Sequence, residues 1–357
     1  MEPVRLQKLR KELEERKLDA ILITNAFNRR YISGFTGSSG YVLVTADRAW
    51  FLTDFRYTEQ AAQQAVGFEI IMHQPNVILS VKELLEGVHI TKVAFEQDDL
   101  SYGTYQAYAR DLGGIELVPV SGLVEKLRMY KDEAELDILQ QAADLADKTF
   151  THILGFLKPG VTEIDTALEM EFFMRKNGAT SSSFDTIVAS GVRSALPHGV
   201  ASEKAIQTGD LVTMDFGALY KAYCSDITRT VGIGKVSPKH REIYDIVLEA
   251  NLHTLANLKP GMTGKEGDAL ARSVIEKAGY GDRFGHGTGH SVGLEVHEQP
   301  RLSLYCDTVL EPGMVVTVEP GIYLPGFGGV RIEDDVVITE TGIRVLTRST
   351  KEFLEIG

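Results

Sequence analysis

The chain has 357 residues, 43% of them apolar and 24% charged, and a formal net charge of −13. That length exceeds what one hydrophobic core usually serves, so two domains are expected. No run approaches the 18 or more apolar residues of a membrane span, and no Lys/Arg cluster of the kind that neutralises phosphates stands out, which argues against membrane and nucleic-acid partners.

The opening segment reads as a charged amphipathic helix over Arg5–Arg16 rather than a signal peptide. Only Cys224 and Cys306 are present and no Asn-x-Ser/Thr acceptor occurs, so the expected compartment is the reducing cytoplasm. An apolar strand is predicted at Ala20–Thr24, with further strands at Gly40–Thr45 and Ala49–Leu52, which together make an α/β unit. After Val118-Pro119-Val120 and Ser121-Gly122, a strongly charged helical stretch from Leu123 to Phe150 reads as a bridge into a second domain. The boundary is placed near residue 124, giving domains 1–124 and 125–357.

The second domain repeats itself. Leu157-Lys158-Pro159-Gly160-Val161-Thr162 returns 101 residues later as Leu258-Lys259-Pro260-Gly261-Met262-Thr263. Gly209–Asp215 returns 104 residues later as Gly313–Glu319, so an acid falls on an acid. The aligned acids favour a duplicated half-domain with one site between its halves over a mere common fold plan.

Asp215 ends an apolar strand, and Asp226 begins the return strand on the far side of the turn at Tyr220-Lys221. The two are expected to face each other directly, with Cβ atoms about 4.5–5.5 Å apart. So close a pair of carboxylates repels strongly unless cations lie between, although a solvated hairpin would also carry two acids. In the second copy Glu319 ends the strand Met314–Val318, the chain turns through Gly321–Gly329, and a strand Val330–Ile338 returns carrying Glu333. Such oxygens suit Mn²⁺, and an imidazole widens the choice to Co²⁺, Fe²⁺ or Zn²⁺.

The imidazole is available in Phe284-Gly285-His286-Gly287-Thr288-Gly289-His290, followed at a short distance by His297-Glu298. The alternating glycines are expected to permit close backbone approach and positive φ. A nucleotide loop is a poorer reading, since the third glycine is missing. A zinc-protease helix fails too, because Arg301 stands four residues after His297.

With these residues the sequence resembles the pita-bread metallopeptidases, which include prolidase, aminopeptidase P and methionine aminopeptidase. The Asp, Asp, His, Glu, Glu ligand pattern of that family falls on Asp215, Asp226, His290, Glu319 and Glu333, within runs such as His286–His290, Val296–Glu298, Val318–Tyr323 and Arg331–Asp334. Residues 1–124 are similar to the N-terminal domain shared by prolidase, aminopeptidase P and creatinase. That domain argues against methionine aminopeptidase, and the full ligand set argues against creatinase. The implied fold class is α+β: a C-terminal pita-bread domain with a pseudo-twofold repeat behind a smaller α/β domain.

The resemblance also implies roles. Two divalent ions, Mn²⁺ or Co²⁺ before Zn²⁺ or Fe²⁺, would be held by the five residues, and a water between them would become the nucleophile, with Glu319 shuttling its proton. His198 and His297 match the family's substrate-site histidines, which donate to the scissile carbonyl or to the proline carboxylate. Arg331 either organises the acidic site, contacts substrate or pairs with a ligand. His286 either lines the pocket or satisfies the glycine-rich loop internally. Arg301 resembles the arginine that prolidases place near the C-terminal carboxylate of a dipeptide. The expected activity is therefore an Xaa-Pro dipeptidase, with an Xaa-Pro aminopeptidase for longer peptides and a non-catalytic binding protein as the alternatives. By the same resemblance the protein is expected to be a homodimer in which Asp54-Phe55-Arg56-Tyr57 approaches the partner's site.

Overall fold

The computed structural model describes residues 3–357; Met1 and Glu2, the first two residues of the charged opening segment, lie outside the described residues. The chain forms two compact units, Met1–Arg128 and Met129–Gly357. Among the described residues no helix is long and apolar enough to cross a membrane.

The first unit carries a six-stranded mixed sheet in the order β4-β3-β2-β1-β5-β6. Its strands are β1 (Ala20–Ile23), β2 (Tyr41–Thr45), β3 (Ala49–Thr53), β4 (Glu69–Met72), β5 (Lys92–Glu96) and β6 (Glu116–Val120). Its helices are α1 (Val4–Glu15), α2 (Ala26–Ser33), α3 (Thr58–Gln64), α4 (Val77–Gly87), α5 (Tyr102–Leu112) and α6 (Leu123–Arg128). Leu6, Leu9 and Leu13 recur at helical spacing and are the buried face of α1. One face of the sheet packs Leu22, Leu43, Trp50 and Val93 against Val81 and Leu85 of α4.

The stretch expected to be one helical bridge is two helices. α6 ends at Arg128, and α7 (Glu133–Leu154) starts afresh because Asp132 caps it: its carboxylate accepts the Glu135 N–H while the Glu135 carboxylate accepts the Asp132 N–H.

The second unit adds α8 (Glu163–Lys176), α9 (Pro238–Asn257) and α10 (Gly264–Lys277). Its first group of strands is β7 (Ser181–Ser182), β8 (Ile187–Ser190), β9 (Leu211–Phe216), β10 (Ala218–Tyr220), β11 (Tyr223–Cys224) and β12 (Ile227–Ile233). Its second is β13 (Gly289–Ser291), β14 (Glu298–Leu302), β15 (Val315–Val318), β16 (Gly321–Leu324), β17 (Gly328–Arg331), β18 (Asp334–Ile338), β19 (Ile343–Val345) and β20 (Glu355–Ile356).

The repeat is physical. Thr162 caps α8 and Thr263 caps α10. Gly160 and Gly261, both at positive φ, each donate to a later strand-like segment, at Ile206 and Leu310. Each half then ends in an antiparallel pair, β9 with β12 and β15 with β18. Apolar residues of both pairs are buried against the helices of their own half: Met214 and Val231 beneath α7 and α8, Val316 and Val336 beside Leu258.

Candidate active site

All ten candidate metal, catalytic and substrate residues line one cavity of about 480 Å³ in the second unit, and Asp54–Tyr57 of the first unit are not among its lining. Asp215 lies on β9, His290 on β13, Arg301 on β14 and Arg331 at the end of β17. Asp226 immediately precedes β12, Glu319 follows β15, and Glu333 occupies the break between β17 and β18. His198 follows a short 3₁₀ turn at Gly191–Ala195, and His297 leads into β14. Phe184, Ile187, Pro197 and Val200 provide apolar wall.

The first acidic pair is not the direct cross-strand pair expected. In the observed register Asp215 opposes Thr228 and Phe216 opposes Ile227. The chain between them is diverted into a separate small hairpin of β10 and β11, with Gly217 pressed so close to Ser225 that a Cβ there would lie 1.7 Å from its carbonyl oxygen. Asp226, two residues before Thr228, therefore approaches Asp215 diagonally. The second pair is closer to expectation, since Val318 opposes Asp334 at the end of the β15–β18 ladder and Glu319 and Glu333 are the next residues. Gly321–Gly329 is not a plain turn, however: β16 and β17 pair within it.

The glycine-rich loop serves close approach alone. None of Gly285, Gly287 and Gly289 takes a positive φ. A Cβ on Gly289 would lie 1.9 Å from the Thr317 carbonyl oxygen, and one on Gly287 would lie 2.8 Å from that of Leu302. This proximity brings His290 beside β15, where its N–H bonds the Thr317 hydroxyl at 3.1 Å.

Three groups, Asp226, His290 and Glu333, each present one ligand atom, and these atoms lie within 4.8 Å of one another. His290 Nε2 is 3.7 Å from Asp226 Oδ2 and 3.3 Å from Glu319 Oε1. One carboxylate oxygen of Asp215 pairs with Arg331 Nη2 at 2.5 Å, while its other oxygen and Asp226 Oδ1 are buried with no hydrogen-bond partner. Burial, then Glu333 and Asp215, push the Asp226 carboxyl well above its ordinary range; burial, then Glu319 and Asp215, do the same to Glu333. Glu319 is pushed up to about 8, burial and Asp215 prevailing over Arg331. Burial drives His290 down to about 3 with His297 assisting, leaving its imidazole neutral and able to ligate. A carboxylate-rich set with orphaned oxygens and one neutral imidazole fits divalent cations, whose charge removes the repulsion.

The outer groups divide by environment. His297 stacks edge-on against His290 with ring centroids 4.4 Å apart, and burial followed by Arg301 lowers its pKa. Among the described residues neither the His198 nor the Arg301 side chain makes a hydrogen bond or ion pair. His286 satisfies both alternatives held for it: it lines the cavity, and its ring nitrogens lie 2.8 Å from the Gly287 carbonyl and 2.8 Å from the Tyr323 hydroxyl. Arg331 is an ion-pair partner of Asp215 and also donates to Tyr323 and to the Pro197 carbonyl. Cys224 is buried, its thiol pushed up to about 12 by that burial.

Sequence reasoning missed several supports. The Thr228 hydroxyl donates to Glu333 Oε2 at 2.6 Å, and Asp335 accepts the Asp226 N–H at 2.9 Å. Thr228 was within reach, since a residue two positions after Asp226 shares its strand face. Tyr323 and Lys131 had no local signal. The Lys131 ammonium, almost fully buried, lies 3.1 Å from Ser291 Oγ and 3.0 Å from Glu298 Oε2, across the cross-strand pair that follows the bulge at His290.

Acid pairs from two copies of a half-domain, gathered around a single imidazole, are the architecture of a metal-dependent hydrolase. Residues 137–340 match metallopeptidase family M24 and residues 5–130 match the creatinase/prolidase N-terminal domain; the chain belongs to metallopeptidase family M24 and is a metallopeptidase. The pita-bread resemblance read from its motifs therefore holds, and with it a dependence on divalent metal ions. The chain is similar to an Xaa-Pro dipeptidase structure from Bacillus anthracis, at 56% identity over 99% of both chains with a TM-score of 0.97. It is 42% identical to the Xaa-Pro dipeptidase of Pyrococcus furiosus over 98% of this chain and 99% of that protein. It is also similar to an X-Pro aminopeptidase structure from Thermotoga maritima, at 40% identity, 97% and 100% coverage and a TM-score of 0.90.

Proposed function

We propose that the protein is an Xaa-Pro dipeptidase that holds two divalent cations on Asp215, Asp226, His290, Glu319 and Glu333. Mn²⁺ or Co²⁺ suits the oxygen-rich set, with Zn²⁺ and Fe²⁺ also compatible. When bound, such cations acidify water and polarise a carbonyl. Glu319 accepts a proton from the attacking water and returns one to the departing proline nitrogen as the C–N bond breaks. His198 and His297 donate to the carbonyl oxygen as negative charge develops on it. Arg331 holds Asp215 in place, and the walls at Phe184, Ile187, Pro197 and Val200 exclude water.

The observation that carries the dipeptide reading is Arg301, a guanidinium in the cavity wall without a hydrogen-bond or ion-pair partner among the described residues. It can pair bidentately with the carboxylate of a C-terminal proline. In a longer peptide a neutral amide takes that place, and losing a charged partner of this kind costs about 1.5–3 kcal/mol. Turnover of an Xaa-Pro dipeptide should exceed that of the corresponding Xaa-Pro-Yaa tripeptide by about tenfold or more under Mn²⁺ or Co²⁺. Arg301→Ala should erase the preference chiefly by weakening the dipeptide. Equal or faster cleavage of tripeptides would instead establish the aminopeptidase reading, which the likeness to the Thermotoga enzyme favours. The same proposal includes a cytoplasmic setting, supported by the free thiols Cys224 and Cys306, and a homodimer, supported by Phe55, which is 77% exposed.

A further inference from the structure

We infer that Glu163 is a positioning residue for His198, acting through the loop that carries it; this rests on the dipeptidase reading in assigning His198 to substrate. The His198 imidazole is exposed and forms no hydrogen bond among the described residues, so its aim into the cavity depends on the backbone beneath it. Arg331 holds the Pro197 carbonyl and Val200 bridges to Ile187, but the two ends of that backbone are tied to each other by one carboxylate. Glu163, the first residue of α8, is fully buried although nothing in the chemistry of the site uses it.

Its Oε1 accepts the Ser190 N–H at 2.7 Å and the Ser190 hydroxyl at 2.8 Å. Its Oε2 accepts the Ser202 N–H at 3.1 Å, the Ser202 hydroxyl at 2.5 Å and Arg193 Nε at 2.9 Å. Ser190 and Ser202 are the two ends of the segment containing His198, so one anion ties both ends together. Arg193, fixed by the same carboxylate, reaches over the segment with Nη2 and holds the Val200 carbonyl at 2.7 Å. The α8 backbone adds two rungs, Glu163 N–H to Lys204 and Ile164 N–H to Ser202. In the second half Gly264 stands where the first has Glu163, and its close contact with the Arg301 carbonyl and Cys306 leaves no room for a side chain. The carboxylate is thus a feature of the His198 half alone, outside the duplicated plan.

Charge-assisted bonds to a desolvated carboxylate are the strong ones, and a carboxamide of the same shape turns two acceptors into one acceptor and a donor facing donors. Glu163→Gln should lower kcat/KM for an Xaa-Pro dipeptide about tenfold or more while metal content, read by elemental analysis, stays at the wild-type value. In a His198→Ala background the same substitution should cost less than about twofold, because the group it positions is gone. NMR of the His198 ring, assigned by its loss in His198→Ala, should show broadening or a second resonance in Glu163→Gln. Arg193→Met, which removes two donors, and Ser202→Ala, which removes one, keep the carboxylate; they should repeat the pattern in smaller measure and stand in for Glu163→Gln if that variant does not fold. Losses that are equal in the presence and absence of His198, or an unchanged His198 resonance, overturn the inference. Absence of Xaa-Pro hydrolysis in the wild type would sink the functional reading instead, leaving the NMR comparison to decide the positioning role.

Discussion

His297 meets the cluster ring to ring, its centroid 4.4 Å from that of His290 at an interplanar angle of 64°, with Arg301, Asp215 and His198 also acting on it. His290, by contrast, has its Nε2 between two carboxylates. On the proposed reading, these two histidines seven residues apart in sequence have different tasks, His290 to ligate a cation and His297 to meet negative charge as it forms on the substrate. His297→Ala should lower kcat by about 10²–10³, the usual loss for one transition-state donor, with metal content retained. Elemental analysis beside steady-state kinetics separates the roles; loss of metal from this variant would make His297 a ligand.

At the scale of elements, the hairpin of β13 and β14 carries His290 and Arg301 and is entered from His297, yet it is only a few residues long. Besides its contact with β15 through Thr317, its two strands are joined from below by the Lys131 ammonium, bound to Ser291 and Glu298. Removing one partner of a buried pair leaves the other charge stranded. Lys131→Met should therefore destabilise the protein by about 3–5 kcal/mol, measured by urea unfolding, and pairing it with Glu298→Gln should recover part of the loss. A stability change below 1 kcal/mol in Lys131→Met would show the hairpin to be held by other contacts. Such supports explain what the sequence could and could not disclose. The first strands and helices followed from local periodicity, Asp215 and Glu319 from the internal repeat, His290 from its glycine-rich run, and the complete set of four acids and one histidine from the family resemblance. The offset of Asp226 from Asp215 was hidden, since it depends on the β10–β11 diversion, and the buried Lys131 and Glu163 were hidden because their partners lie far along the chain. The break after Arg128 was readable in principle from Asp132 and Glu135, three residues apart as in a capping box.

For the molecule as a whole, the acidic centre couples folding, pH and metal. In metal-free protein the folded state holds Glu319 at about 8 and Asp226 and Glu333 well above their ordinary range, burial being the main cause in each. The unfolded chain releases these protons near pH 4–4.5. A carboxyl with a raised folded pKa stabilises fully below the unfolded value, and the contribution is lost as pH rises through the folded value, because the native state then binds the extra proton. His286 and His290 work in the opposite direction, since burial lowers them to about 4 and about 3. Their effect is confined to pH below about 7, where the unfolded imidazole begins to take up a proton. In the window from pH 7 to pH 8.5 the carboxyls therefore dominate, with Cys224, whose buried thiol stays protonated while an unfolded one begins to ionise near 8.5, adding a smaller loss of the same sign. Chelator-treated protein should lose about 1 kcal/mol or more of stability across it, a fall in melting temperature of about 1–2 °C. Added Mn²⁺ binds the ionised carboxylates of the native state, so it should raise the melting temperature more at pH 8.5 than at pH 7 and flatten or invert the trend. Melting curves at the two pH values, with and without metal, make the comparison directly. If metal-free protein is equally stable or more stable at pH 8.5, the five groups do not form a mutually repelling buried cluster, and the assignment of the cations to them fails.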